Sequence, residues 1–394
     1  MKTLQLLVAG LLPVLLGARL TAAFNPSSPL YTRLAGTVVV PAEFRDHALI
    51  VEAMINGRGP FRMLIDTGSS VSLITPAVAE AVAARLPASE EPSPTAINGL
   101  GDETDVTGVL LDTLVLGTAR FEGVPAGVTT DLATIARTDG QKLDGLLGFS
   151  LFSDVLVGLD FPGHRVVLSA GWPENLPPVR AEFDVKEQDE VPTISARLQG
   201  HDIFFLVDTG ATAGLSLPPA LAASVQWKAE PRPGALVRVI GETSRELVGR
   251  LSGEFHLGRV AQETPVASIL DGAPAIGVEI LQRFCVVFDE SHDKMWLCAA
   301  TDETVAVRPV RSVGLCLFAD RDGWRVVGTI PGGPAEGAGI SPGDVVTRIE
   351  GQPAREWSRD KLDGWVDTHP ELALSVSHAA ASRDVVLAAW SLVP

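Results

Sequence analysis

Two carboxylates in identical tripeptides are the residues of this chain best suited to chemistry. Asp66-Thr67-Gly68 and Asp208-Thr209-Gly210 each end an apolar run, in FRMLIDTGSSVSLI and IFFLVDTGATAGLS, and the two segments align without gaps at an offset of 142 residues. Two carboxyl groups held about 3 Å apart cannot both ionise readily, so they share a proton. One can then act as general base on a bound water while the other donates to a carbonyl oxygen. That is direct attack of water on an amide, with no metal and no covalent intermediate. Gly68 and Gly210 permit a tight turn and close backbone approach. Thr67 and Thr209 can brace the two turns against each other through their hydroxyls. Ser69 can donate to the Asp66 carboxylate and Ala211 has nothing to donate to Asp208, so an asymmetric pair is expected, with Asp66 the more readily ionised. The rival reading is a pair of turn aspartates that cap backbone N–H groups in a binding protein.

For the carboxylates to meet, the elements around them must be related by symmetry, and the chain is repetitive. GLLGFSLFSDVLVGLDFPGHRVVL aligns with PAIGVEILQRFCVVFDESHDKMWL at an offset of 129, matching Gly148 with Gly277 and Asp160 with Asp289. Related halves pack about a pseudo-two-fold axis, and equivalent loops near that axis come together. The smaller second offset assigns longer loops to the first copy. Short alternating apolar runs punctuated by Gly and Pro predict mainly β structure, a barrel-like unit per copy, with brief helices near Pro76 and Pro218. GWPENLPPVR, from Gly171, reads as the linker. Asp160 and Asp289 precede hairpin turns and read as structural.

With both motifs in place, the two copies resemble aspartic proteases, as short retropepsin-like lobes duplicated in one chain. In that family each Asp-Thr-Gly is followed by a hydrophobic-hydrophobic-Gly motif packed beneath it, and Leu146-Leu147-Gly148 and Ala275-Ile276-Gly277 match. The resemblance implies a mobile hairpin flap from each copy, with Gly99 and Gly101 in the first and Gly241 in the second at or near the tips. Pepsin-like members carry a flap tyrosine; the one tyrosine here, Tyr31, falls outside that region. After Arg308 the chain resembles a PDZ domain of bacterial type, carried by GGPAEGAGISPGDVVTRIEGQP and a following helix near Arg359. That implies a peptide adding as an extra strand, its terminal carboxylate held near Gly314, Leu315, Cys316 and Leu317. Leu362 and Trp365 are either pocket walls or helix core.

Composition bounds the rest. At 394 residues, two or three domains are expected, and 46 % apolar with 20 % charged residues is a globular balance. A net charge of −17 argues against a nucleic-acid partner. No Cys/His cluster has zinc spacing, so neither metal nor cofactor is expected. Met1 to Ala23 has a basic start, a short apolar run broken by Pro13, and small residues for cleavage, which reads as an export signal. The mature protein is then periplasmic or secreted with no integral membrane span, or anchored if the signal stays. If Glu290 to Asp293 forms a hairpin loop, Cys285 faces Cys298; the two are candidates for a disulfide or else two small buried apolar residues.

The expected organisation is a signal at 1–23, one protease lobe at 24–172, a second at 173–305 and a PDZ domain at 309–394: two pseudo-symmetric acid-protease β-barrel lobes followed by a small α+β domain. The expected function is an exported aspartic endopeptidase acting on peptide or protein substrates, its PDZ domain recruiting or positioning substrate or binding a C-terminal peptide. A non-catalytic peptide-binding adaptor with the same cleft is the alternative.

Overall fold

Segments such as ALIVEAMI (Ala48–Ile55) and VPTISARL (Val191–Leu198) are rich in β-branched and apolar residues and end at Asn-Gly or Gln-Gly turns, which suits a pleated, largely buried strand; both are strands. The computed structural model describes residues 31–45, 47–85, 95–98, 103–130, 143–188, 190–238, 243–300, 309–320, 323–378 and 381–393. The export-signal region and the three flap glycines, Gly99, Gly101 and Gly241, lie outside the described residues.

The first copy comprises β1 (Tyr31–Arg33), β2 (Val38–Arg45), β3 (Ala48–Ile55), β4 (Arg58–Asp66), β5 (Ser72–Ile74), α1 (Pro76–Ala81), β6 (Thr95–Asn98), β7 (Glu103–Leu116), β8 (Ala119–Val128), β9 (Gly145–Gly148), β10 (Leu156–Asp160) and β11 (Arg165–Ser169). The second comprises β12 (Val179–Gln188), β13 (Val191–Leu198), β14 (His201–Val207), β15 (Leu215–Leu217), α2 (Pro219–Ala222), β16 (Arg232–Arg238), β17 (Thr243–Arg250), β18 (Glu254–Leu257), β19 (Val260–Glu263), β20 (Val266–Ile269), β21 (Ala275–Ile276), α3 (Val278–Leu281), β22 (Cys285–Asp289) and β23 (Lys294–Cys298). The C-terminal segment follows with β24 (Val310–Ser312), β25 (Leu315–Asp320), β26 (Gly323–Thr329), α4 (Pro334–Gly337), β27 (Val345–Ile349), β28 (Gln352–Pro353), α5 (Arg359–Thr368), β29 (Glu371–His378), β30 (Ala381–Ala388) and β31 (Trp390–Val393). The molecule is mainly β, and among the described residues no helix is long and apolar enough to cross a membrane.

The copies are joined by an antiparallel six-stranded sheet in the order β2-β11-β10-β22-β23-β12. At its centre Gly158 pairs with Val287, its own repeat equivalent at the 129-residue offset, so a pseudo-two-fold axis passes between β10 and β22. One continuous apolar core runs through both copies, and Phe149 meets Phe288 edge-on at 5.2 Å across the junction. Asp160 is buried and accepts from Gly163 N–H at 2.9 Å and Arg165 Nε at 2.7 Å. Asp289, at the equivalent hairpin, accepts from Ser291 Oγ at 2.7 Å and contacts His292 Nδ1 at 2.9 Å. Both are structural, as the sequence suggests.

The β22–β23 hairpin has the expected register, with Asp289 opposite Lys294 and Cys285 opposite Cys298. The candidate disulfide is nevertheless not formed, and all three cysteines are free and buried. Burial pushes the Cys298 thiol up to about 11, with Asp160 adding to the effect, and raises Cys285 further. Both pack in a satellite cluster with Leu156 and Val287.

Candidate active site

Each Asp-Thr-Gly leaves the end of a strand that is paired, in parallel, with the strand carrying the downstream glycine. β4 lies beside β9 with Asp66 opposite Gly148, and β14 lies beside β21 with Val207 opposite Ile276. The chain returns as β5 and β15, each antiparallel to the same short strand. This packing explains the glycines. A Cβ on Gly148 would fall 2.5 Å from the Val71 backbone, and one on Gly277 would fall 2.2 Å from the Ala213 carbonyl oxygen. Gly148 N–H donates to Ser72 Oγ at 3.1 Å, a support the serine-rich turn offers but spacing does not single out.

The two turns meet on the pseudo-axis. Thr67 N–H donates to Thr209 Oγ1 at 3.0 Å and Thr209 N–H to Thr67 Oγ1 at 3.1 Å. Each hydroxyl then donates to the opposite copy, Thr67 to the Val207 carbonyl at 2.6 Å and Thr209 to the Ile65 carbonyl at 2.8 Å. Both threonines are fully buried. Thr209→Val keeps the side-chain shape but leaves the Thr67 N–H and the Ile65 carbonyl without these partners, which costs about 1–3 kcal/mol for each buried group. Chemical denaturation should show that loss, and Thr209→Ser should recover most of it; an unchanged midpoint in the valine variant contradicts the brace.

Above the brace the carboxylates interlock with the opposite glycines. A Cβ on Gly68 would lie 2.5 Å from Asp208 Cγ, and one on Gly210 would lie 2.6 Å from Asp66 Oδ1. The two carboxyl groups are within hydrogen-bonding reach of each other, and both residues are half-buried. Asp66 accepts from Gly68 N–H at 3.0 Å; Asp208 accepts from Gly210 N–H at 2.8 Å and Ala211 N–H at 3.0 Å.

Burial raises both carboxyls above the ordinary aspartate value of 3.8; Asp66 is pushed up to about 8 by desolvation first and the neighbouring Asp208 charge second. Ser69 does not turn its hydroxyl to the Asp66 carboxylate as expected. Its hydroxyl donates to the Val71 carbonyl at 2.8 Å, and its N–H is directed partly at the Asp66 main-chain carbonyl, 3.3 Å away. The Ser69 N–H also lowers Asp66, and Ala211 N–H donates to the Asp208 carboxylate.

The stretches expected to form flaps contain the hairpins β6–β7, with Thr95 opposite Val106, and β16–β17, with Val237 opposite Ser244. His47, at the turn between β2 and β3, contacts the Thr212 carbonyl at 3.2 Å through Nδ1 and so links the first copy to the loop following Asp208. Nothing in its sequence context signals that link.

In the C-terminal segment β25 pairs, among the described residues, with β26 alone and so is an edge strand of its sheet. Gly314 has φ +81°, a left-handed turn at the head of that strand, and its N–H is held by Ser312 Oγ at 2.9 Å. Leu315 and Leu317 face the local core, whereas the Cys316 side chain points to the opposite face, against the second copy. The Cys316 side chain is therefore not a groove residue; strand alternation turns it away. Leu362 is buried core, and Trp365 stacks on His369 with ring centroids 3.7 Å apart.

Residues 51–151 match the aspartyl protease family model, and residues 308–375 match that of the PDZ domain. No curated protein matches the chain. Among solved structures, the chain is similar to a retropepsin-like aspartic protease from Rickettsia conorii, at 20 % identity and TM-score 0.26 over 36 % of this chain and 95 % of that one. It is also similar to the HtrA3 PDZ domain bound to a phage-derived ligand, FGRWV, at 21 % identity and TM-score 0.19 over 20 % of this chain and 85 % of that one. The chain carries an aspartyl protease domain and, at its C-terminus, a PDZ domain.

Proposed function

We propose that this protein is an exported aspartic endopeptidase in which Asp66 and Asp208 activate one water for attack on a peptide bond. The supporting observation is the interlock of the two turns, which holds the carboxyls within hydrogen-bonding reach with one proton between them. The Asp208 carboxylate takes a proton from the water as its oxygen adds to the amide carbon. Protonated Asp66 donates to the carbonyl oxygen, which gives a neutral gem-diol. Return of a proton to the amide nitrogen then lets the C–N bond break. Thr67, Gly68, Thr209 and Gly210 hold the pair in place, and Ser69 supports it through backbone contacts. An extended peptide lies in the cleft under the two hairpins, as an added strand.

On this reading 1–23 is a cleaved export signal, the two lobes divide near residue 172, and the PDZ domain from 309 binds peptide partners or substrate at the β25 edge. Purified protein lacking the signal should cut an unstructured peptide, and a statine-containing transition-state analogue should block the cutting. Binding of peptide without any cleavage across the acidic and neutral pH range would instead make the protein an adaptor.

A further inference from the structure

The hairpin β16–β17 of the second copy, which matches the flap stretch of the resemblance, does not stand free. Its base is packed on the PDZ domain. Val248 of β17 shares a closed apolar cluster with Cys316 of β25, Ile330, and Leu392 and Val393 of β31, all 5 % exposed or less, with Leu236 of β16 packed against them. Leu236 N–H donates to Cys316 Sγ at 3.3 Å. Arg245 spans the junction, donating to the Gly234 carbonyl at 2.8 Å within the hairpin and to the Thr329 carbonyl at 3.0 Å in β26. Leu236 lies so close over β26 that a Cβ on Gly328 would fall 2.6 Å from its Cδ1.

Both partners are irregular at the point where they touch. The register of β16–β17 shifts between Pro233 and Leu236, and that of β25–β26 shifts between Cys316 and Leu317. From inside the lobe, Glu246 holds the same bulge, accepting from Ala235 N–H at 3.1 Å and from Ser268 Oγ of β20 at 2.5 Å. Residues 234–236 are thus clamped between the lobe and the PDZ domain, a few residues from the hairpin tip.

We infer that the PDZ domain is an effector site for the protease: a peptide with a free C-terminal carboxylate, added along the open edge of β25, repositions the β16–β17 hairpin through Cys316, Leu236 and Arg245 and so changes the rate of cleavage. This inference rests on the proposed endopeptidase activity and adds regulation to it. The physical reason is that a strand added at the edge of β25 bonds to the backbone carrying Cys316 and sets the geometry of its bulge. The face opposite is close-packed and has no slack to absorb a shift. Coupling must be reciprocal: a ligand in the cleft that favours one hairpin position alters peptide affinity at β25 by the same factor.

The test uses the full-length mature protein, a short peptide ending in valine with a free carboxylate, the same peptide amidated, and a reporter substrate capped at both ends. Two readouts are taken together, the kcat/KM for the reporter and amide hydrogen exchange over residues 232–250. The free-acid peptide is expected to change kcat/KM by about fivefold or more, the lower end of ordinary allosteric coupling, and to alter exchange in the hairpin. The amidated peptide should do neither. Arg245→Ala should still bind the free-acid peptide but lose most of the rate response. Peptide bound at β25 with rate and exchange both unchanged overturns the inference, as does failure of the free-acid peptide to bind. Altered exchange in a protein that cleaves nothing supports the inferred coupling and overturns the endopeptidase reading instead.

Discussion

Asp208→Asn and, separately, Asp66→Asn are each expected to lower kcat/KM for a peptide substrate by about 10³-fold or more, the scale of losing a positioned acid or base that works as part of a unit. The two carboxyls share one proton, so removing either removes both functions. Asparagine at Asp208 cannot take a proton from water. Asparagine at Asp66 cannot donate an acidic proton to the carbonyl oxygen. The double variant should therefore be little worse than either single one, a non-additivity that independent structural roles would not produce. Asp289→Asn is the control: it alters a repeated carboxylate on an exposed hairpin, and its rate should stay within about twofold. Steady-state kinetics on folded protein decides the matter. Retention of near-native rates in either active-site variant would leave the turns as a scaffold.

The second large effect is on pH. Cleavage requires one proton on the pair. Asp66 is raised to about 8, so activity should fall as pH rises through that value, and the acid limb should lie above 3.8 because burial raises Asp208 as well. Stability has the same sign. A carboxyl whose folded-state pKa is raised contributes stability that is fully present below its unfolded value and is lost as pH rises through the folded one. The window therefore runs from about 3.8 to about 8, and melting temperature should decline across it. The slope approaches roughly 1.4 kcal/mol per pH unit for one proton. A net charge of −17 adds self-repulsion in the same direction. Asp66→Asn separates the two contributions: it should flatten the decline and be more stable than the parent at pH 8. A parent and variant that melt in parallel across that range would contradict the burial argument.

Much of the fold is readable in the chain because the repeat repeats its physics. Gly148 and Gly277 recur because each sits against the backbone of the turn between the aspartate and the return strand, where no Cβ fits. Alternation and turn residues define the strands, and a short loop specifies the Cys285–Cys298 register. The spacing of the two tripeptides also indicates that Asp66 and Asp208 converge, since related halves meet about an axis. The direction of the Ser69 hydroxyl was not legible. Ser69 differs from Ala211 in sequence, yet its hydroxyl goes to the Val71 carbonyl and not to the pair.

By itself, then, the sequence determined the strands, the paired acidic turns, the glycines beneath them and the presence of a PDZ domain, because each is set by local pattern or by a motif that tolerates few residue types. Only the tertiary structure decided where the Ser69 hydroxyl points, that Cys285 and Cys298 are free and buried, and that Cys316 faces the second hairpin rather than a peptide groove. Those outcomes depend on contacts between segments far apart in the chain, such as Leu236 on Cys316, and on the burial that packing creates. No local pattern encodes either one.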